Sequence, residues 1–182
     1  MLWETIMNKL GRRGLVICGI VVVAVAGGAA IAMTQASSSI NDMPAPCMTM
    51  NLSPYSAQQP LDVKAGAKVL HFKVEIAKTE AQREQGLMCR TGLSDDYGML
   101  FEFGDSAERT FWMQNTLSPL DIIYIAPNGR IVSIQKDAKP LDETPLPSYG
   151  SASGVLEINA GLSEKLGLKA GDIVEHPFFH KP

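Results

Sequence analysis

Five side chains in a short central stretch of the sequence are of types that bind ligands. They are Arg90, Trp112, Asn115, Thr116 and Asp121. A guanidinium holds anionic or polar groups, an indole ring stacks on a ligand, and amide and hydroxyl groups form directional hydrogen bonds. Asp121 would accept hydrogen bonds from these donors and so orient them toward the ligand. Because binding pockets combine apolar walls with a few such groups, the stretch predicts a binding site. The same residues would also suit a core and its turns, and this alternative stays open.

A carboxylate within an apolar segment is the second feature that suggests chemistry. Glu157 lies in a predicted strand, where alternation places it on the same face as Val155. A buried carboxylate is costly unless it is paired, so Arg90 or Arg109 is its expected partner. Together with Asp121, Glu157 would suit a hydrolase of envelope carbohydrate, since two carboxyl groups about 5–9 Å apart cleave glycosidic bonds. A structural ion pair is the alternative.

Nucleophilic and metal-dependent catalysis find little support in the residue types. The three histidines are His71, His176 and His180, and none accompanies a nucleophile in a recognisable motif. His176 and His180 have the spacing of a helical metal-binding pair, but Pro177 prevents a regular helix there. The sequence contains no glycine-rich phosphate loop and no dinucleotide motif. We therefore expect no metal and no cofactor, and an enzyme is the less favoured class.

The elements that must position these residues begin with a strand and a short helix. Apolar and polar residues alternate over 69–77, which predicts a half-buried strand. Thr79 and Gln82 have the spacing of a capping box, and Gly86 is a suitable helix end. The sequence therefore predicts a short helix between Thr79 and Gly86.

The remaining pattern consists of short strands joined by turns. Residues 99–103 and 110–113 are predicted strands, separated by a turn at 104–106. The tripeptide Pro127-Asn128-Gly129 predicts a hairpin, and a long proline-rich loop is expected over 137–153. A strand, a short helix and a final strand complete the chain. This pattern predicts a mostly β (α+β) fold: a compact, largely antiparallel curled sheet or partly closed small barrel with two short helices.

Several short motifs in this chain resemble those of a known protein family. The motifs are Gly86-Leu87-Met88-Cys89-Arg90, Gly98-Met99-Leu100-Phe101, Trp112-Met113-Gln114-Asn115-Thr116, Leu120-Asp121 and Leu156-Glu157. Their order over residues 69–174 resembles the family called domain of unknown function 192. The resemblance implies a β-rich fold. It implies no activity, because none is settled for the family.

The first 36 residues have the features of a targeting segment. Arg12 and Arg13 precede an uncharged apolar run, 15–32, which ends in the small-residue sequence Ala30-Ile31-Ala32. Such a segment is either a cleaved signal peptide or an N-terminal membrane anchor. We expect the rest of the chain to be exported to the periplasm or the extracellular side. Contact with the membrane is expected through the N-terminal segment alone.

The rest of the chain is predicted as a Pro/Ser-rich linker over 37–66 and a single β-rich globular domain over 67–182. Of 16 basic and 19 acidic side chains, three basic and one acidic lie in the first 36 residues, so the remainder carries a net charge of −5. A nucleic acid is not an expected partner, because no basic stripe is present. A small polar ligand or an envelope protein is expected instead.

Two cysteines follow the targeting segment, Cys47 in the predicted linker and Cys89 in the predicted domain. In an oxidising compartment they would pair and tie the linker to the domain. The favoured alternative is that both remain thiols, with Cys89 packed as a small hydrophobic side chain.

The function favoured by these features is an exported, non-enzymatic binding or accessory domain of the cell envelope. Its site would be built on Arg90, Trp112 and Asn115. The first alternative is an envelope hydrolase that uses Asp121 and Glu157. The second is a structural protein-interaction domain whose partner surface includes the proline-rich loop, 140–147.

Overall fold

The computed structural model describes residues 45–49 and 57–179 of the chain, which belong to one unit, Ser38–Pro182. A 3₁₀ helix, Pro177–Phe179, ends the described part. The other elements, in chain order, are α1 (Ala45–Thr49), β1 (Gln59–Ala65), β2 (Lys68–Ala77), α2 (Glu80–Gln85), β3 (Tyr97–Phe111), β4 (Leu120–Ile125), β5 (Ile131–Ala138), β6 (Leu146–Asn159), α3 (Leu162–Leu166) and β7 (Ile173–Glu175).

Within these residues the strands form one sheet in the order β5-β4-β6-β3-β2-β1-β7. Strands β2 and β3 run parallel, and the other neighbours are antiparallel. The sheet curls until its two edges approach each other. There the amide of Ile131 donates to the carbonyl of Asp172 (2.8 Å), and the amide of Val174 donates to that of Gly129 (2.7 Å). The predicted mostly β fold with a largely antiparallel curled sheet is confirmed.

Strand β2 and helix α2 form where the sequence predicts a strand and a short helix. Along β2, Phe72 and Val74 are buried while His71 is exposed. The amide of Gln82 donates to Thr79 Oγ1 (3.3 Å), and the amide of Thr79 donates to Gln82 Oε1 (3.0 Å). This capping box satisfies amides that the first turn of a helix otherwise leaves unpaired. It fixes where α2 starts.

Hydrophobic side chains are buried on both faces of the central strands. The first cluster receives a side chain from every strand: Leu61, Phe72, Leu100, Ile123, Ile131, Leu156 and Val174. The second cluster includes Met99, Phe101 and Ile122 from the opposite face of β3 and β4, together with Leu87 and Met113 from connecting segments. Since successive side chains of a strand point to opposite faces, both faces of the central strands are covered.

Three sequence expectations about the strands were wrong. The first strand, β1, lies inside the predicted linker, and β6 begins within the predicted loop over 137–153. The predicted turn at 104–106 does not divide two strands, because β3 is continuous. Its pairing with β6 jumps from Glu102–Gly154 to Ala107–Ala152, so residues 103–106 form a bulge. A bulge places extra residues in one strand of a pair. Here the bulge contains glycine and polar residues, which is the composition of a turn, and the sequence therefore predicted one.

A disulfide joins Cys47 of α1 to Cys89 in the loop after α2, with their Cα atoms 5.3 Å apart. The favoured expectation of two thiols is therefore wrong. The loop itself is further held by the amide of Cys89, which donates to the carbonyl of Asn115 (2.8 Å). The disulfide thus ties α1 to the connection between β2 and β3.

The predicted targeting segment, 1–36, lies outside the described residues. Of the helices that are described, none has the length and apolar character needed to span a membrane.

Replacing Cys89 tests the contribution of the disulfide. The bridge closes a segment with a sequence separation of 42 residues, and constraining the unfolded chain in this way is worth about 2–4 kcal/mol. We expect Cys89→Ser to lower the free energy of unfolding by that amount in urea titrations of the full chain. Cys18→Ser removes a thiol without touching the pair and is the control. Three free thiols in the denatured, unreduced wild type would contradict the pairing.

Candidate functional site

A cavity of about 700 Å³ lies beside the second cluster. Its walls come from α2 and the turn that follows, from β3 between Phe101 and Phe111, from the segment after β3, and from β6. The lining includes Glu80, Arg83, Glu84, Gly86, Phe101, Phe103, Asp105, Arg109, Phe111, Trp112, Thr116 and Glu157. A concave space of this size is typical of small-molecule sites.

Two backbone features shape the cavity. The bulge of β3 carries Phe103 and Asp105 to one wall. On the other wall, Gly86 ends α2 with φ +46°, and a Cβ at this position would lie 3.3 Å from Phe101 Cζ. Glycine is the residue that adopts such a backbone angle at low cost and allows this close approach. The end of α2 can therefore pack directly on the Phe101 ring.

Aromatic rings form much of the cavity wall. Phe101 and Phe111 meet edge to face with ring centroids 5.0 Å apart. The guanidinium carbons of Arg83 and Arg109 lie 5.0 Å and 4.1 Å from the centroid of Phe103. Edge-to-face rings and stacked guanidinium groups hold each other in fixed positions. The aromatic part of the wall is therefore preorganised.

Glu157 is the buried ionisable side chain among the residues that line the cavity, with 4% of its surface exposed. It lies on β6 directly across from Met99 of β3 and Ile122 of β4, both fully buried. Its Oε2 atom has no hydrogen-bond partner among the described residues. Burial raises the pKa of Glu157 to about 8, because the charged form loses its hydration. Its carboxyl group therefore carries a proton at neutral pH.

The structure brings two of the five predicted binding residues to this cavity, Trp112 and Thr116. Trp112 is 53% exposed, so it is not a core residue. Thr116 is buried, and its hydroxyl donates to the carbonyl of Gln114 (3.3 Å). Trp112 is thus available to a ligand, whereas Thr116 mainly supports the wall.

Arg90 does not line this cavity. Its guanidinium forms an ion pair with Glu75 (3.0 Å) and donates to the hydroxyl of Tyr97 (3.0 Å). Burial raises the pKa of Tyr97 to about 12, so the hydroxyl stays neutral. Arg90 therefore pairs with a carboxylate of β2, and the expectation that it pairs with Glu157 is wrong.

Arg109 does line the cavity, but it does not pair with Glu157 either. Its guanidinium pairs with Asp105 (2.6 Å) and donates to the carbonyl of Ala152 (3.1 Å). Asn115 has a positive φ of 53°, and its carbonyl accepts the amide of Cys89. Asparagine tolerates this left-handed conformation, so the role shown for Asn115 is that of a turn residue.

Asp121 is fully buried but lies on the other face of the sheet. It accepts the backbone amides of Asp137 (2.9 Å), Gly161 (3.2 Å) and Ser163 (2.8 Å). In the pairing of β4 with β6, Asp121 faces Ile158 while Glu157 faces Ile122. Because facing residues share a side of the sheet and neighbours alternate, the two carboxylates point to opposite sides. The predicted acid–base pair of Asp121 and Glu157 therefore does not form.

The sequence pattern did not predict the cavity residues of α2 and the bulge, Arg83 and Phe103 in particular. Neither residue lies in an unusual local pattern, because their place in the cavity depends on the long-range packing of α2 against β3.

Among the described residues, no cluster of three or more His, Cys, Asp or Glu side chains is placed to hold a metal ion.

Asp121→Asn tests the structural role of Asp121. An amide side chain would turn an N–H donor toward one of the three donating amides and leave it unpaired. Loss of such buried hydrogen bonds costs about 2–4 kcal/mol, and we expect this decrease in urea unfolding. Asp62→Asn, which alters an exposed contact with His71, should change stability by less than about 0.5 kcal/mol. Equal effects of the two substitutions would refute the assignment.

Glu157→Gln tests the burial of the carboxyl group. Between about pH 5 and 8 the folded protein keeps the proton of Glu157 while the unfolded chain has lost it. The wild type therefore becomes less stable as the pH rises, by about 1.4 kcal/mol per unit relative to the variant. We expect the difference in unfolding free energy between variant and wild type to increase over this range and to level off above pH 8.

The difference in unfolding free energy between variant and wild type cancels the contributions of other titrating groups. One such group is His176, whose pKa is lowered by burial. Glu164→Gln is the matched control, since Glu164 is exposed and pairs with Lys136 at 3.7 Å. Its difference from the wild type should not depend on pH over this range. The same flat profile for Glu157→Gln would show that Glu157 is not buried without a partner.

Comparisons with known proteins identify relatives of this fold. A crystal structure from Sinorhizobium meliloti 1021, described as a candidate transcription regulator, is 37% identical with a TM-score of 0.65, over 68% of this chain and 96% of that chain. A protein of unknown function from Novosphingobium aromaticivorans DSM 12444 is 38% identical with a TM-score of 0.65, over 73% of this chain and 98% of that chain. No curated protein matches the chain.

The family model of domain of unknown function 192 (DUF192), described as uncharacterised ACR, matches residues 61–176. This range runs from β1 to the end of β7 and contains every wall of the cavity. The chain therefore belongs to the DUF192 family.

Proposed function

We propose that this protein is an exported binding domain of the cell envelope that takes a small molecule into the cavity beside Glu157. The observation that carries the proposal is the unpaired carboxyl group of Glu157 in an aromatic-walled cavity of about 700 Å³. An unpartnered buried acid destabilises the fold. Such a group, with a perturbed pKa and in a cavity, is typical of a functional site.

Export is supported by two independent features. Arg12 and Arg13 precede the apolar run 15–32, which is the pattern of a signal or anchor. The disulfide between Cys47 and Cys89 is of a kind that persists in oxidising compartments outside the cytoplasm.

The alternatives have less support. A two-carboxylate hydrolase needs Asp121 and Glu157 on one side of the sheet, which the strand register prevents. The proline-rich loop proposed as a partner surface also has an internal role. The amide of Met113 donates to the carbonyl of Asp142 (2.8 Å), and the amide of Leu141 donates to that of Thr116 (3.1 Å). The loop thus braces the segment that carries Trp112.

The proposal is tested by a fragment screen on the full chain, followed by NMR. The chain has two tryptophans, so the indole N–H signal that vanishes in Trp112→Ala identifies Trp112. We expect millimolar ligands that shift this signal and bind roughly tenfold more weakly to Trp112→Ala, since loss of an aromatic contact costs about 1–2 kcal/mol. Tyr149→Ala, at an aromatic residue that is 75% exposed and does not line the cavity, should keep full affinity.

The proposal fails if no fragment shifts the Trp112 signal. It also fails if every ligand binds Trp112→Ala and Glu157→Gln as tightly as the wild type, because such ligands bind elsewhere.

A further inference from the structure

The charged side chains around the cavity do not balance each other. Asp105 and Arg109 form an ion pair at 2.6 Å and cancel. Arg83 donates to the carbonyls of Lys78 and Glu102 and stacks on Phe103.

Besides this remaining cation, the lining contains three acidic side chains: the exposed Glu80 and Glu84 and the buried Glu157. No ion pair within the described residues involves any of the three. An ionised Glu157 would therefore leave the lining with a surplus of negative charge. Such a surplus attracts cations and repels anions.

Of the aromatic residues in the wall, Trp112 is 53% exposed, Phe103 and Phe111 are partly buried, and Phe101 is buried. Both guanidinium groups approach the same ring, Phe103. Phe101, Phe111 and Trp112 have no such cationic contact within the described part of the chain and also line the cavity. Ammonium groups bind favourably near aromatic rings, and an alkyl or aryl body packs against them.

We propose that the cavity binds a small organic ammonium compound, whose ammonium group donates to Glu157 and whose apolar body packs against Phe111 and Trp112. This inference rests on the proposed binding function and assigns its ligand class. A primary ammonium supplies both the charge and the hydrogen-bond donor that Glu157 Oε2 lacks inside the protein. An anionic ligand would meet the acidic surplus, and a neutral ligand would leave it uncompensated.

Binding of an ammonium ion is coupled to proton release. The free carboxyl group of Glu157 holds a proton at neutral pH because its pKa is about 8. Pairing with an ammonium requires the carboxylate, so one proton leaves Glu157 for the solvent as the ligand enters. The groups that face Glu157 or share its cavity are Tyr124 of β4, whose pKa is raised by burial and by the Glu157 charge, together with Glu80, Arg83, Glu84, Asp105 and Arg109.

Three compounds that share a phenyl ring and differ in their head group test the ligand class. They are 2-phenylethylammonium, 2-phenylethanol and phenylacetate, titrated into the full chain by calorimetry between pH 6 and 8.5. We expect the ammonium compound to bind at least roughly tenfold more tightly than the other two at pH 8. Its dissociation constant should fall about tenfold between pH 6 and 7 and level off near pH 8, with close to one proton released at pH 6.5.

Glu157→Gln should bring the affinity for the ammonium compound close to that for the alcohol and remove its pH dependence. Glu164→Gln, at an exposed glutamate outside the cavity, should behave as the wild type. Circular dichroism at each pH confirms that both variants are folded.

The ligand class is refuted if phenylacetate or the alcohol binds as tightly as the ammonium compound, or if Glu157→Gln leaves the ammonium affinity and its pH dependence unchanged. If fragments with other head groups still bind in a Trp112-dependent manner, the ligand class is wrong and the binding function stands. If no compound of either experiment shows Trp112-dependent binding, both proposals are wrong.

Discussion

The parallel pairing of β2 with β3 constrains the rest of this fold. Parallel neighbours cannot be joined by a tight turn, so the chain must cross one face of the sheet between Ala77 and Tyr97. This crossover contains α2 and Gly86, places Leu87 in the second cluster, and carries Cys89 to the disulfide. One wall of the cavity and the attachment point of α1 therefore follow from a single topological requirement.

Three buried or partly buried carboxylates of the sheet are stabilised in different ways. Asp121 accepts three backbone amides, and Glu75 pairs with Arg90. Glu157 has neither kind of partner for its Oε2 atom and stays protonated at neutral pH instead. The first two carboxylates support the fold, since their charges are compensated within it. Glu157 keeps an unused hydrogen-bonding group in a cavity, which is why the proposed function is built on it.

The elements that sequence analysis located correctly have signals within a few residues of one another. Alternation over 69–77, the capping box of Thr79 with Gln82, and the hairpin at Pro127-Asn128-Gly129 are of this kind. The strand β1 and the continuity of β3 were missed because they depend on pairing with distant strands. At the bulge, residues 103–106 have the composition of a turn, and only the ladder with β6 keeps the strand together.

For the site, the sequence by itself identified Trp112, Thr116 and Glu157 as candidate residues and predicted a curled, mostly β domain of the DUF192 family. It placed Glu157 among apolar residues because alternation is a local property. Only the tertiary structure decided the partners: Arg90 pairs with Glu75, Arg109 pairs with Asp105, and Glu157 remains unpaired in a cavity. The physical reason is that charged side chains pair when they lie close in space. Strand order and register set the distances between them, independently of sequence spacing.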